Sequence, residues 1–203
     1  IGTIGYINGK NGTINTCYQR YKGWDDVLAK YPDVEVVDEW YDDPAESKSV
    51  ITGLLASNPD IKVLLIDWAN PPADNAQTAF KELGYEAWKD ISMVTIDIDN
   101  TITIPMATDG PDHNYTGAFV AQTWYTAGAN LVKMYCKNLL AEETGETYPK
   151  FVVSSPLPVT VYENLKTNFT YCVPESVTEI PVPAEIDALE NQWDLGVEDI
   201  WSK

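Results

Sequence analysis

Within its first hundred residues the chain runs three times from a short apolar stretch into a segment with helical spacing, then enters a fourth apolar stretch. The first stretch covers residues 3–8. Tyr21, Trp24, Val27, Leu28 and Tyr31 then recur at helical spacing over about 16–30, and Pro32 stops the helix. Residues 34–40 read as a second strand. Asp43-Pro44-Ala45-Glu46 follows, with an acceptor at the N-cap, Pro at the first helical position and Glu in the first turn. That helix should turn Val50, Ile51, Leu54 and Leu55 inward. Residues 61–66 form a third, nearly all-apolar strand, and a helix over 72–83 closes at Gly84. This order predicts an α/β fold, a parallel β-sheet with crossover helices on both faces. Ligands in such sheets sit outside the carboxyl ends of the strands. Segments 8–15, 40–43, 67–70 and 97–100 should therefore meet at one mouth, and all four are polar or aromatic.

The fourth stretch, Met93-Val94-Thr95-Ile96-Asp97-Ile98-Asp99-Asn100-Thr101-Ile102, carries two aspartates one residue apart. Continued as a strand, it would point Asp97 and Asp99 to the same side. Two adjacent carboxylates call for a metal, a shared proton or a polyhydroxyl ligand. Asp97-Ile98-Asp99-Asn100-Thr101 resembles the first motif of the haloacid dehalogenase-like phosphatases. That resemblance would make Asp97 a nucleophile and Asp99 a general acid/base beside Mg²⁺. The motif normally sits on the first strand, whereas here it follows some ninety residues of α/β chain. The acids near Asp194 and Glu198 lie in a weakly patterned tail, and no downstream lysine is well placed.

Charge narrows the partners. Among 203 residues, 31 acids against 13 bases leave a net charge of -18, which excludes the basic face that nucleic acid needs. An anionic membrane surface is disfavoured for the same reason. No apolar run is long enough to span a bilayer, and none reads as a signal peptide. A chain that opens inside a strand, without an initiator Met, reads as processed or truncated. Cys17, Cys136 and Cys172 lack metal spacing and read as buried thiols, with one disulfide left open.

The second half changes character. Residues 106–117 read as a loop, with His113 a solvated member of it. A long helix over about 124–142 carries Trp124, Leu131, Met134 or Tyr135, and Leu139 in one stripe. Residues 144–149 form a turn, and 151–153 and 159–161 look extended. From Tyr171 the chain is Pro-rich and acidic, with one more helix expected over 185–193.

Six segments in order resemble the type I periplasmic sugar-binding proteins, the solute receptors of ABC transporters, related to LacI-type ligand-binding domains. Ile4-Gly5-Tyr6-Ile7 is like the strand opening their second lobe. Arg20-Tyr21-Lys22-Gly23-Trp24 resembles their Arg-x-x-Gly-aromatic helix start. Leu54-Leu55-Ala56-Ser57-Asn58-Pro59-Asp60-Ile61 resembles a helix-to-strand link. Val94–Asp97 resembles a Val-Gly-Phe-Asp strand. Ala121-Gln122 with Gly128 is like a hinge crossing, and Pro158-Val159-Thr160 followed by Glu163-Asn164 is like the return crossing. Asn70 and Ala73 match a further Asn-Asp-x-x-Ala segment, from which Pro71, Pro72 and Asn75 depart.

The resemblance implies a non-enzymatic, extracytoplasmic receptor lobe, with no cofactor or metal, that binds a sugar-like ligand for a membrane permease. The sensor domain of a membrane receptor is the neighbouring alternative. Residues 1–104 and 156–170 would form the C-terminal lobe. Residues 118–150 would cross the hinge into an N-terminal lobe otherwise absent, and 171–203 would be an acidic extension. By position in the family pattern, Asn15, Tyr18, Arg20, Trp68, Asn70, Asp97, Asp99 and Gln122 face the ligand. Arg20 could equally form an ion pair within the lobe, and Asp99 could cap the following turn. The 124–142 stripe, without its usual cover, is expected to drive self-association.

Overall fold

The computed structural model of the protein describes residues 3–9, 15–110, 112–121 and 159–168, with Gly128, Leu131, Val132, Tyr135, Cys136, Leu139 and Gly145. The first half alternates β1 (Thr3–Gly9), α1 (Asn15–Leu28), β2 (Val36–Tyr41), a 3-10 turn (Pro44–Glu46) with α2 (Ser47–Ser57), and β3 (Ile61–Ile66). A wide helical turn (Ala69–Ala73) leads into α3 (Asp74–Glu82), followed by β4 (Ser92–Ile96), α4 (Asn100–Thr108), β5 (Thr116–Val120) and α5 (Tyr162–Asn168). All five strands are parallel, in the order β2-β1-β3-β4-β5. The α/β expectation from the alternating pattern is met.

Side-chain alternation along β1 explains the two layers of helices. Tyr6 meets Tyr21 and Trp24 of α1, each with ring centroids 5.7 Å apart. Its neighbour Ile7 must point the other way. It joins the buried cluster that holds Ile51, Leu54 and Leu55 of α2, Leu64 and Ile66 of β3, and Phe80 of α3. Each such side chain contributes about 1.5–3 kcal/mol by leaving water. At the start of α2, the Asp43 carboxylate accepts from the Ala45 N–H at 2.9 Å, as the capping pattern requires. Gly84 closes α3 with φ 75°, a conformation that favours glycine.

Three sequence expectations change. Val27 and Tyr31 of the α1 stripe are exposed, at 51% and 57%: Tyr31 lies past the end of α1 at Leu28, and Val27 sits in its last turn on the solvent side. β4 stops at Ile96, so Asp97 and Asp99 are not strand neighbours sharing a face. The loop expected over 106–117 instead holds the end of α4, a turn and the start of β5. The sheet therefore runs past residue 104, with β5 (Thr116–Val120) as its edge strand, overlapping the start of the expected 118–150 crossing.

Pro105 argues locally against α4: a proline removes the N–H that would bond the carbonyl four residues back, that of Thr101. Buried Gln77 of α3 supplies the replacement, its Nε2 donating to the Thr101 carbonyl at 2.8 Å. A tertiary contact thus repairs a helix that local sequence argues against. Beyond β5, Thr160 returns to the sheet and pairs antiparallel with Phe119, each N–H donating to the other's carbonyl at 2.9 and 2.8 Å. Leu131, Tyr135 and Leu139 of the expected stripe are exposed and helical. Trp124, Met134, the pieces at 151–153, Cys172 and the acidic tail lie outside the described residues. Among the described residues no helix is long and apolar enough to cross a membrane.

Candidate functional site

The carboxyl ends of β1, β2, β3 and β4 meet on one edge of the sheet, where the chain passes through Gly9, Tyr41, Asp67 and Asp97. Asp67 is the knot. It is completely buried, and its Oδ2 accepts from the Gly9 N–H at 2.6 Å. The Tyr41 hydroxyl donates to Oδ1 at 2.8 Å and lies 3.0 Å from Oδ2. The Cys17 thiol of α1 also bonds to this carboxylate. One side chain thereby ties β3 to β1, β2 and α1. Burial raises the Asp67 carboxyl above its ordinary range, opposed by the hydrogen bonds from Cys17, Gly9 and Tyr41 and by the charge of Arg20. Its donors are held protonated. Burial, then the Asp67 charge, pushes the Cys17 thiol up to about 12 and raises the Tyr41 phenol by the same two causes.

Arg20 bridges this knot to the next strand. Its Nη1 donates to the Asp67 carbonyl at 2.5 Å, and its Nη2 forms an ion pair with Asp97 Oδ2 at 3.1 Å. Both side chains are largely buried, 14% and 9% exposed. Asp97 reaches Arg20 from an unusual backbone conformation, with φ 78°, while its N–H continues the ladder by donating to the Val120 carbonyl at 2.8 Å. A non-glycine residue held there stores about 1–3 kcal/mol of strain, and such residues concentrate at functional sites.

The other candidates separate. Asp99 accepts from the Thr101 N–H at 2.9 Å and caps α4, as its second reading anticipated. Trp68 is half-buried and extended just beyond Asp67, and Asn70 is exposed before a cis bond to Pro71. Tyr18 belongs to an aromatic cluster, 6.1 Å from Tyr21 and 6.3 Å from Trp40. Asn15 begins α1. Gln122 lies outside the described residues, directly after buried Ala121. The arrangement therefore unites Arg20 with Asp97 and places Trp68 and Asn70 on the next strand end. His113 is exposed, as expected. Cys17 and Cys136 are free thiols.

Sequence reasoning passed over Asp67, Tyr41 and Asn8 as individual residues, although it put all three segments at the mouth. The available signal was a polar residue closing each apolar strand. Asn8 is fully buried, and neither atom of its amide has a partner among the described residues.

The phosphatase alternative has no support in this geometry. Asp97 is engaged by a guanidinium in place of a metal, and Asp99 is committed to a helix cap. Among the described residues no group of three or more His, Cys, Asp or Glu could hold a metal ion. An adjacent cation and carboxylate instead offer a neutral set of donors and acceptors, suited to an uncharged polar molecule.

The fold is thus a parallel α/β lobe whose strand ends gather around this pair. The chain belongs to the family described as the periplasmic binding protein domain, which matches residues 1–143. This is a family of binding proteins, not enzymes. No curated protein matches the chain significantly. Among solved structures, it is similar to the binding-protein component of the arabinose ABC transporter from Shewanella sp. ANA-3, bound to arabinofuranose. Identity is 22% and the TM-score 0.66, over 93% of this chain and 57% of that one. A periplasmic ribose ABC transporter protein from Conexibacter woesei is 15% identical with TM-score 0.68, covering 81% and 52%. A solute-binding protein from Actinobacillus succinogenes with bound D-allose is 20% identical with TM-score 0.63, covering 81% and 54%. The chain thus spans about half the length of these structures.

Proposed function

We propose that this chain supplies the ligand-binding lobe of an extracytoplasmic receptor for a sugar or sugar-like molecule, delivered to the membrane permease of an ABC transporter. The observation that carries this reading is the Arg20–Asp97 pair at the strand ends, held in a strained backbone on an otherwise ordinary sheet. A carboxylate can accept from adjacent hydroxyls while the guanidinium donates to others, and Trp68 offers an apolar wall for the C–H face of a sugar ring. Asn70 and Gln122 fit as amides that donate and accept at once. Two of the similar structures hold arabinofuranose and D-allose, which supports the same ligand chemistry.

The lobe would comprise the sheet and its helices, closed by the return segment at 156–170. The chain beyond β5, to about residue 150, would cross toward a second lobe, and 171–203 would extend beyond. The exposed face at Leu131, Val132, Tyr135 and Leu139 would then be covered by that second lobe. Calorimetric titration with L-arabinose, D-ribose and D-allose tests the proposal. Saturable binding of at least one, lost in Arg20→Ala and Asp97→Ala variants that remain folded, is expected. Binding left intact by both substitutions, or no binding of any neutral sugar, would overturn it.

A further inference from the structure

At the opposite end of the sheet, where β4 and β5 begin, lies a cavity of about 350 Å³ that the mouth does not use. Its size is within the ordinary range for small-molecule pockets. Buried Asn114 and Thr116 form its inner wall, and exposed Asp112 and Glu163 its rim. Trp88 closes one side.

Three features set this cavity apart from an accidental gap. Trp88 holds φ 64°, a strained conformation for a bulky side chain, in a turn closed by its own N–H donating to the Ile91 carbonyl at 2.9 Å. Its indole lies so close to β5 that a Cβ on Gly117 would stand 2.9 Å from the ring. The ring is nevertheless half exposed. At the inner wall, the Asn114 amide donates from Nδ2 to the Gly110 carbonyl at 2.6 Å, while its Oδ1 has no partner among the described residues. The residue is only 2% exposed, so that acceptor is withheld from water. The charged groups lining the cavity among the described residues are both acids, Asp112 and Glu163.

We propose that this cavity binds a small organic cation, an ammonium group with an apolar body, against the indole face of Trp88. Asp112 and Glu163 would balance the charge at the rim, with Asn114 and Thr116 as the inner wall behind the ligand. An indole face attracts such a cation through its quadrupole, and an acidic rim excludes anions. The site is independent of the sugar reading, because it lies at the other end of the strands.

The test uses the full chain with its tryptophans replaced by 5-fluorotryptophan, so that ¹⁹F NMR resolves each ring, with Trp88→Phe assigning its signal. Choline is the probe, and 3,3-dimethylbutan-1-ol is its uncharged isostere. The expected result is a saturating shift confined to Trp88 with choline, absent with the isostere or with sodium chloride at the same concentration. The double variant D112N/E163Q, altered only at exposed positions, should weaken choline about tenfold, or about 1.4 kcal/mol. Gly117→Ala, which crowds the ring, should abolish the shift. An equal response to the isostere would make this an apolar pocket, and an equal response to sodium chloride would make it charge screening. Either outcome, or no shift at Trp88, overturns the proposal.

Discussion

Two neighbouring strands of one sheet each end in an aspartate, and the two acids have opposite surroundings. Asp67, after β3, is sealed from solvent and meets Gly9, Tyr41 and Cys17. Asp97, after β4, twists into the left-handed region to meet a largely buried guanidinium. The first arrangement satisfies donors from three other elements and builds the edge of the mouth. The second keeps a charged pair at the edge of that mouth, on a strained backbone. Arg20 joins them, touching the main chain of one and the side chain of the other. An acid at a strand end is thus not by itself a site; what surrounds it decides.

The largest effect is expected at the knot. Asp67→Ala strands the Tyr41 hydroxyl and the Gly9 N–H in a buried region, and each orphan costs about 1–3 kcal/mol. A loss of about 3–5 kcal/mol in urea unfolding is expected, with Tyr41→Phe losing less. If Asp67→Ala costs no more than Asp97→Ala, the division between anchor and site breaks.

At Asp97 the effect should divide between strain and charge. Asp97→Ala removes the partner of a largely buried guanidinium and keeps the strained φ, for a loss of about 2–4 kcal/mol. Asp97→Gly removes the same charge but tolerates that φ, so it should be about 1 kcal/mol more stable than the alanine variant. Both should bind no sugar. Equal stability of the two, by thermal and urea unfolding, would show that the left-handed backbone carries no strain.

The same two acids mark how far the sequence could be read. The parallel sheet was legible because strand and helix periods alternate cleanly up to β4, and the convergence of strand ends follows from that topology. Arg20 and Asp97 were reachable from the order of motifs. Their pairing was not, because 77 residues separate them and contact depends on how α1 packs over β1. Asp67 was hidden for a different reason. Nothing local shows that a carboxylate will be wholly buried and find donors on three other elements. The break of β4 at Ile96 was hidden too, since Ile98 continues the apolar alternation while the backbone turns at Asp97.

The β4 end also leans on α4, whose first turn is capped by Asp99 and whose Pro105 gap is filled by Gln77. Gln77→Ala leaves the Thr101 carbonyl without that donor, and a loss of about 1–2 kcal/mol is expected. Restoring the helix bond by Pro105→Ala should recover part of it. A double-mutant cycle in urea unfolding measures the coupling; strict additivity would mean that Gln77 does not serve the proline gap.

The smallest effect concerns proton binding at the knot. The carboxyl of Asp67 is raised in the folded state above its ordinary 3.8. The folded protein therefore holds this proton more tightly than the unfolded chain does. Its contribution to stability is fully present below 3.8 and is lost as pH rises through the folded value. This is opposite in sign to a carboxylate depressed by an ion pair, for which acid removes stability. Asp67→Asn eliminates the titration while keeping a side chain of the same shape. The stability of the native sequence minus that of Asp67→Asn should accordingly fall as pH rises from the acid side across that window, by about 1 kcal/mol for each unit of upward shift. Urea unfolding of both proteins at a series of pH values measures this difference. A difference that grows with pH would mean that the hydrogen bonds from Gly9, Tyr41 and Cys17 outweigh burial, making Asp67 a stabilised anion rather than a proton-retaining anchor.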